Sequence, residues 1–156
     1  MNTLQAGDIA PSFTLENQNG ETVALSTLLE ANQVLVYFYP KALTPGCTVQ
    51  AEQLRDHKAQ LAELNTVAVG ISPDPVKKLK NFETKKELNF DLLSDEDHAI
   101  ADAFGVWGLK KFMGKEYDGI HRISFLIGQD GVIKHVFNKF KTKEHHQVVI
   151  DHLSAQ

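Results

Sequence analysis

The chain has 156 residues, 42% of them apolar and 23% charged, with a formal net charge of -4. That length suits one domain spanning residues 1–156, with a core large enough to need neither disulfides nor a structural metal. The acidic balance argues against nucleic acid or an anionic membrane surface as partner, and no apolar run reaches membrane-spanning length.

The opening "MNTLQAGDIAPSF" has neither the basic start nor the apolar middle of a secretory signal, so a cytoplasmic location is expected. "SFTL" and "ETVAL" flank "ENQNG", whose Asn-Gly predicts a hairpin. "QVLVYFY", residues 33–39, is apolar on both faces, the pattern of a central strand covered on both sides. Pro40 ends it, and a helix is expected from about residue 46 to 63, with Val49, Leu54 and Leu61 as its apolar positions. "TVAVGIS" (66–72) reads as a second buried strand. Asp74 and Pro75 supply a cap and first-turn pair for an amphipathic helix over "PDPVKKLKNFETKKEL", and "FDLL" reads as a short strand. Ser94 is expected to cap a short helix in "DEDHAIADAFG", closed by Gly105. "RISFLI" (122–127) and "VIKHVF" (132–137) are two strands joined by a turn at Asp130-Gly131. "KEHHQVVIDHLSA" is a last helix with Val148, Val149 and Leu153 inward. Strand–helix–strand units pair in parallel, and the late hairpin adds antiparallel strands. The expected architecture is α/β, a mixed central sheet flanked by helices. It resembles the thioredoxin fold with an added N-terminal β-hairpin.

Cys47 is the single cysteine, so no internal disulfide is available. It falls where a central strand hands over to a helix, the end at which α/β sheets place ligand and reaction sites. First-turn N–H groups and the helix dipole both favour a sulfur anion there. Thiols activated in this way have pKa values of roughly 3.5–7.5, against about 8.5 for a free thiol. Full ionisation multiplies the reactive fraction by only ~30, and a weaker base is a poorer nucleophile. Fast chemistry therefore needs further groups that stabilise charge developing in the transition state. Thr44 stands three residues before Cys47, the spacing of a Cys-x-x-Cys pair with a hydroxyl replacing the first sulfur. Dithiol exchange within the chain is excluded, while a hydroxyl there donates to a thiolate or orients an oxygen substrate. Pro40 stiffens the loop and walls water from the sulfur, and Gly46 permits close approach of another group.

Pro40-x-x-x-Thr44-x-x-Cys47, with Arg122 entering a late strand, resembles the active-site motif of the peroxiredoxins. "NFDLLSDEDHAIADAFGVWG" and "FMGKEYDGIHRISFLI" are similar to the bacterioferritin comigratory protein, or Q-type, subgroup. The resemblance covers nearly the whole chain. It implies that Cys47 attacks hydrogen peroxide or an organic hydroperoxide and becomes a sulfenic acid, with Pro40, Thr44 and Arg122 completing the site. In that chemistry Arg122 offers fixed charge and several donors to sulfur and peroxide, and Thr44 holds the peroxide in line.

Many members of the subgroup carry a resolving cysteine five residues after the first; here that position is Glu52. Regeneration must then use an external thiol: thioredoxin, glutaredoxin with glutathione, or a small thiol. The alternative reading is a redox sensor or holdase-like protein that uses Cys47 oxidation as a signal. No cofactor and no metal site are expected. His145 and His146 point about 100° apart on a helix and lack ligand spacing, so a solvated helix face is the expectation for them. His121 is placed outside the site, Glu52, Arg55 and Asp56 are read as exposed charges, with Arg55 as brace of the active helix the alternative, and Trp107 and Tyr117 as core or loop contacts. No apolar patch calls for a dimer, and a monomer is expected.

Overall fold

The computed structural model describes residues 1–156 and begins with the hairpin β1 (Thr14–Glu16) and β2 (Thr22–Ala24), followed by a five-residue helix α1 (Leu25–Leu29). Then come β3 (Gln33–Phe38), α2 (Pro45–Asp56), α3 (Lys58–Glu63), β4 (Thr66–Ser72), α4 (Val76–Lys86), β5 (Leu92–Ser94) and α5 (Ala99–Phe104). The chain finishes with β6 (Trp107–Phe112), β7 (Lys115–Ile120), β8 (Ser124–Ile127), β9 (Ile133–Phe137) and α6 (His145–Ser154). No helix is long and apolar enough to cross a membrane.

Seven strands form one sheet in the order β2-β1-β5-β4-β3-β8-β9. β3, β4 and β5 run parallel, while β8 lies antiparallel to β3 and β9 to β8. This is the mixed thioredoxin-like sheet expected, with the N-terminal hairpin joined to it at Glu16 opposite Ser94. β3 is buried at all six positions and splits the core in two. Leu35, Tyr37 and Tyr39 face one cluster with Cys47, Leu54, Phe82 and Val149; Val34, Val36 and Phe38 face another with Phe13, Phe104 and Phe125.

Several local expectations are corrected. The helix expected over residues 46–63 breaks at His57 (φ -109°, ψ 15°), whose ring Nδ1 and backbone N–H both meet the Gln53 carbonyl. Asp74 does not cap α4; Pro75 holds the cap position, and the Asp74 carboxylate turns inward. Ser94 does not cap α5 either, because its hydroxyl donates to the Asp74 carbonyl at 2.7 Å. Asp95 does that work, accepting from the Ile100 and Ala101 N–H groups at 3.1 and 2.9 Å. Gly105 closes α5 in the left-handed region (φ 72°). His145 is fully buried rather than solvated. The hairpin β6–β7 was not anticipated at all and stands as a separate two-stranded sheet, closed by Met113 and Gly114 at positive φ.

Candidate active site

β3 delivers the chain to Pro40, and the loop 40–44 then turns it into α2. The loop is pinned from the neighbouring strand end. Ala42 N–H donates to Asp74 Oδ2 at 2.7 Å, and the Ser72 hydroxyl donates to the same oxygen at 2.8 Å. Leu43 takes a left-handed conformation (φ 65°), uncommon for a branched side chain, so the loop is held in shape rather than relaxed into it. Thr44 occupies the N-cap position of α2 and Pro45 its first helical position, where a missing N–H costs nothing.

Cys47 follows in the first turn and is 1% exposed. The N–H groups of Gly46 and Cys47 are among the orphan donors of that turn; Thr48 is the first to reach back, to the Thr44 carbonyl. Arg122 arrives from the opposite side, two residues before β8. Its Nη2 donates to Cys47 Sγ at 3.0 Å and its Nη1 to Gln50 Oε1 at 3.1 Å. Gln50 stands one helical turn after Cys47 on the same face, so α2 presents a sulfur and an amide oxygen to one planar fork. A Cβ on residue 46 would lie 3.2 Å from Arg122 Nη2 and 3.6 Å from Thr142 Cγ2. Glycine there lets the guanidinium close on the sulfur.

The structure thus brings Cys47, Arg122 and Gly46 together and puts Pro40 and Thr44 on the adjoining loop, both half-buried. Thr44 differs from expectation in one respect. Its hydroxyl donates to the Lys41 carbonyl at 2.8 Å, so its proton is committed and its lone pairs remain as acceptors. His121 stays out of the site, with Nε2 on the Leu109 carbonyl at 3.1 Å. Arg55 follows the alternative reading as a brace: it reaches the Lys86 carbonyl at 2.6 Å and ties α2 to the end of α4.

Four neighbours were not assigned to the site from sequence. Gln50 was findable from its spacing to Cys47. Lys110, on β6, lies close enough for its charge to feel the sulfur and the guanidinium. Burial and Arg122 depress its pKa and the sulfur opposes them, while its ammonium donates to the Ile120 carbonyl at 2.8 Å. Tyr37 lies beneath, its pKa raised by burial and by the nearby Tyr39 and Cys47. His145 is held neutral, its pKa depressed to about 3 by burial first and then by His146 and Arg122. Its Nε2 shares a hydrogen bond with the Ser124 hydroxyl at 2.8 Å. Only tertiary contact could have marked these last three.

A guanidinium on a buried sulfur, beside orphan helix N–H groups and a lone-pair acceptor, is arranged to stabilise a thiolate and a small oxygen-rich electrophile next to it. A model of the AhpC/TSA family matches residues 6–136. The chain is 60% identical over 153 residues to peroxiredoxin Bcp of Escherichia coli, covering 98% of this chain and 97% of that one. It is 45% identical over 143 residues to peroxiredoxin Bcp of Bacillus subtilis, covering 92% and 90%. Among solved structures it resembles peroxidoxin BcpB of Mycobacterium tuberculosis with a TM-score of 0.87 and 35% identity, over 97% of each chain.

Proposed function

The chain belongs to the AhpC/TSA family, among the Bcp peroxiredoxins, and from that membership we propose a role for each side chain around Cys47. The protein is a thiol-dependent peroxidase, and its single cysteine fits a one-cysteine mechanism in which an external thiol restores the sulfur. The observation that carries the site assignment is the 3.0 Å contact from Arg122 Nη2 to Cys47 Sγ. In the low dielectric around a residue 1% exposed, that contact is worth far more than it is in water.

Cys47 Sγ attacks the nearer peroxide oxygen as a thiolate. An S–O bond forms, the O–O bond breaks, and its electron pair leaves on the far oxygen as water or alcohol once a proton arrives. Arg122 holds the sulfur anion and meets the charge growing on the two oxygens. Thr44, its proton given to Lys41, accepts the peroxide O–H and so aligns the bond to be broken. Gly46 leaves room for the guanidinium, Pro40 shields the sulfur from water, and Gln50 orients the arginine fork. The working unit is the whole chain, residues 1–156, since α6 supplies the His145 that backs Ser124 on the strand following Arg122. It acts as a monomer in the cytoplasm, where a reduced thiol pool regenerates Cys47.

Stopped-flow peroxide consumption with a thiol reductant tests this. The wild type should turn over, and Cys47→Ser should lose essentially all activity while remaining folded. A Cys47→Ser protein that consumes peroxide at the wild-type rate would remove the proposal.

A further inference from the structure

The exposed side chains of the hairpin β6–β7 take no part in the peroxidase step proposed above. Its two strands pair only with each other, outside the seven-stranded sheet. Along it, Leu109, Phe112, Met113 and Tyr117 are 56%, 65%, 87% and 48% exposed, four of the six exposed large apolar side chains of the chain. Scattered apolar residues need no explanation, but four on one projecting hairpin do. The hairpin also runs straight into the site. Lys110 donates to the Ile120 carbonyl, and Arg122, on the sulfur, follows two residues later.

We propose that this hairpin is the docking arm for the protein dithiol that reduces Cys47, an acidic thioredoxin-like partner with an apolar rim around its reactive sulfur. The proposal rests on the peroxidase reading and names the partner of that same site. Size argues against a second copy of this chain. The four side chains expose roughly 550 Å² together, short of the ~800 Å² per partner of a stable interface but in the range of transient redox encounters. Charge argues for an acidic partner. The segments bordering the sulfur are residues 40–50, 107–122 and 138–144, the last packed on Gly46 through Thr142. They carry eight cationic side chains, among them Lys41, Lys110, Lys139, Lys141 and Lys143, against three carboxylates. The chain as a whole is at -4, so these net cationic segments run against its overall charge.

Chemistry requires such a visit. A thiolate of the partner attacks the sulfenic sulfur, an S–S bond forms, the S–O bond breaks, and the oxygen leaves as water with a proton. The partner's second thiolate then attacks its own sulfur in the mixed disulfide, and Cys47 departs as thiolate. Cys47 gains two electrons and the dithiol loses two. With no second cysteine in this chain, both attacking sulfurs come from outside.

The test separates the two half-reactions in the full-length protein. In Phe112→Ser/Met113→Ser, oxidation by one equivalent of peroxide without reductant should match the wild type, as should reduction by dithiothreitol. The kcat/KM for an acidic thioredoxin should fall by about tenfold, the scale of losing a central apolar anchor. Lys139→Glu/Lys141→Glu should lower the same constant and flatten its salt dependence. Equal thioredoxin constants in wild type and tip variant would overturn the proposal. So would a parallel loss with dithiothreitol, a wild-type dimer that the tip variant dissolves, or a wild type that no protein dithiol reduces. Failure of the peroxide half-reaction in the wild type would instead count against the peroxidase reading, so the two failures are told apart.

Discussion

The two faces of β3 are built from the same strand and solve different problems. Val34, Val36 and Phe38 point into a cluster closed by Phe13, Phe104 and Phe125, where ring centroids lie 5.0–6.4 Å apart. Leu35, Tyr37 and Tyr39 point into the cluster that contains Cys47. On that side the Tyr37 hydroxyl, Gln50 Nε2, His145 Nδ1 and His146 Nδ1 are buried without a protein partner, while the Tyr39 hydroxyl lies against Ser72. Each such atom costs about 1–3 kcal/mol relative to a satisfied one. The difference teaches where the fold tolerates expense: the aromatic face holds the molecule together, and the polar face gives up stability to keep donors and a neutral imidazole around a reactive sulfur.

That division can be attacked from both sides. The largest effect is expected on the polar face. Arg122→Met keeps the bulk of the side chain and removes its charge, and should lower the second-order rate constant for peroxide by ~10²–10³ in stopped-flow measurements, with stability little changed. A loss below fivefold would mean that the guanidinium is a packing group. On the aromatic face, Phe104→Ala should cost about 3–5 kcal/mol in denaturant unfolding and leave the rate per folded molecule untouched. A variant that unfolds as the wild type does, or that loses peroxide reactivity while folded, would merge the two faces into one.

A third effect concerns pH. His145 has its pKa lowered from 6.5 to about 3 in the folded chain, whereas an unfolded imidazole protonates near the ordinary value. The stabilisation it contributes is therefore complete above pH ~6.5 and is lost as pH falls towards 3, by up to about 1.4 kcal/mol for each unit. His145→Asn should flatten the acid limb of a stability–pH curve measured by thermal unfolding. An unchanged slope would place the acid sensitivity elsewhere.

How much of this was legible beforehand follows the same boundary. β3, β4 and the pair β8–β9 announce themselves because their burial is written locally, in apolar runs and a turn at Asp130-Gly131. The motif singled out Cys47, Thr44, Pro40 and Arg122, and the structure puts Arg122 on the Cys47 sulfur. The hairpin β6–β7 was not, because its pattern is inverted: Lys110 lies half-buried against the site while Leu109 and Phe112 face outward, so hydrophobic alternation points the wrong way. The break at His57 is invisible in a helix-favouring run, since one ring nitrogen meeting the Gln53 carbonyl decides it. His145 reads as half of a polar pair until Ser124, twenty-one residues earlier, gives it a buried partner.

The close fit of Arg122 over residue 46 reaches further than the sulfur. Glycine in place of alanine weakens a helix by about 1 kcal/mol. The turn that carries Cys47 is therefore weaker than an alanine at residue 46 would make it. A thiol kept from solvent in the resting protein sits on a turn made easier to unravel by the same glycine, so the tightness of its cradle and the ease of its release have a single origin.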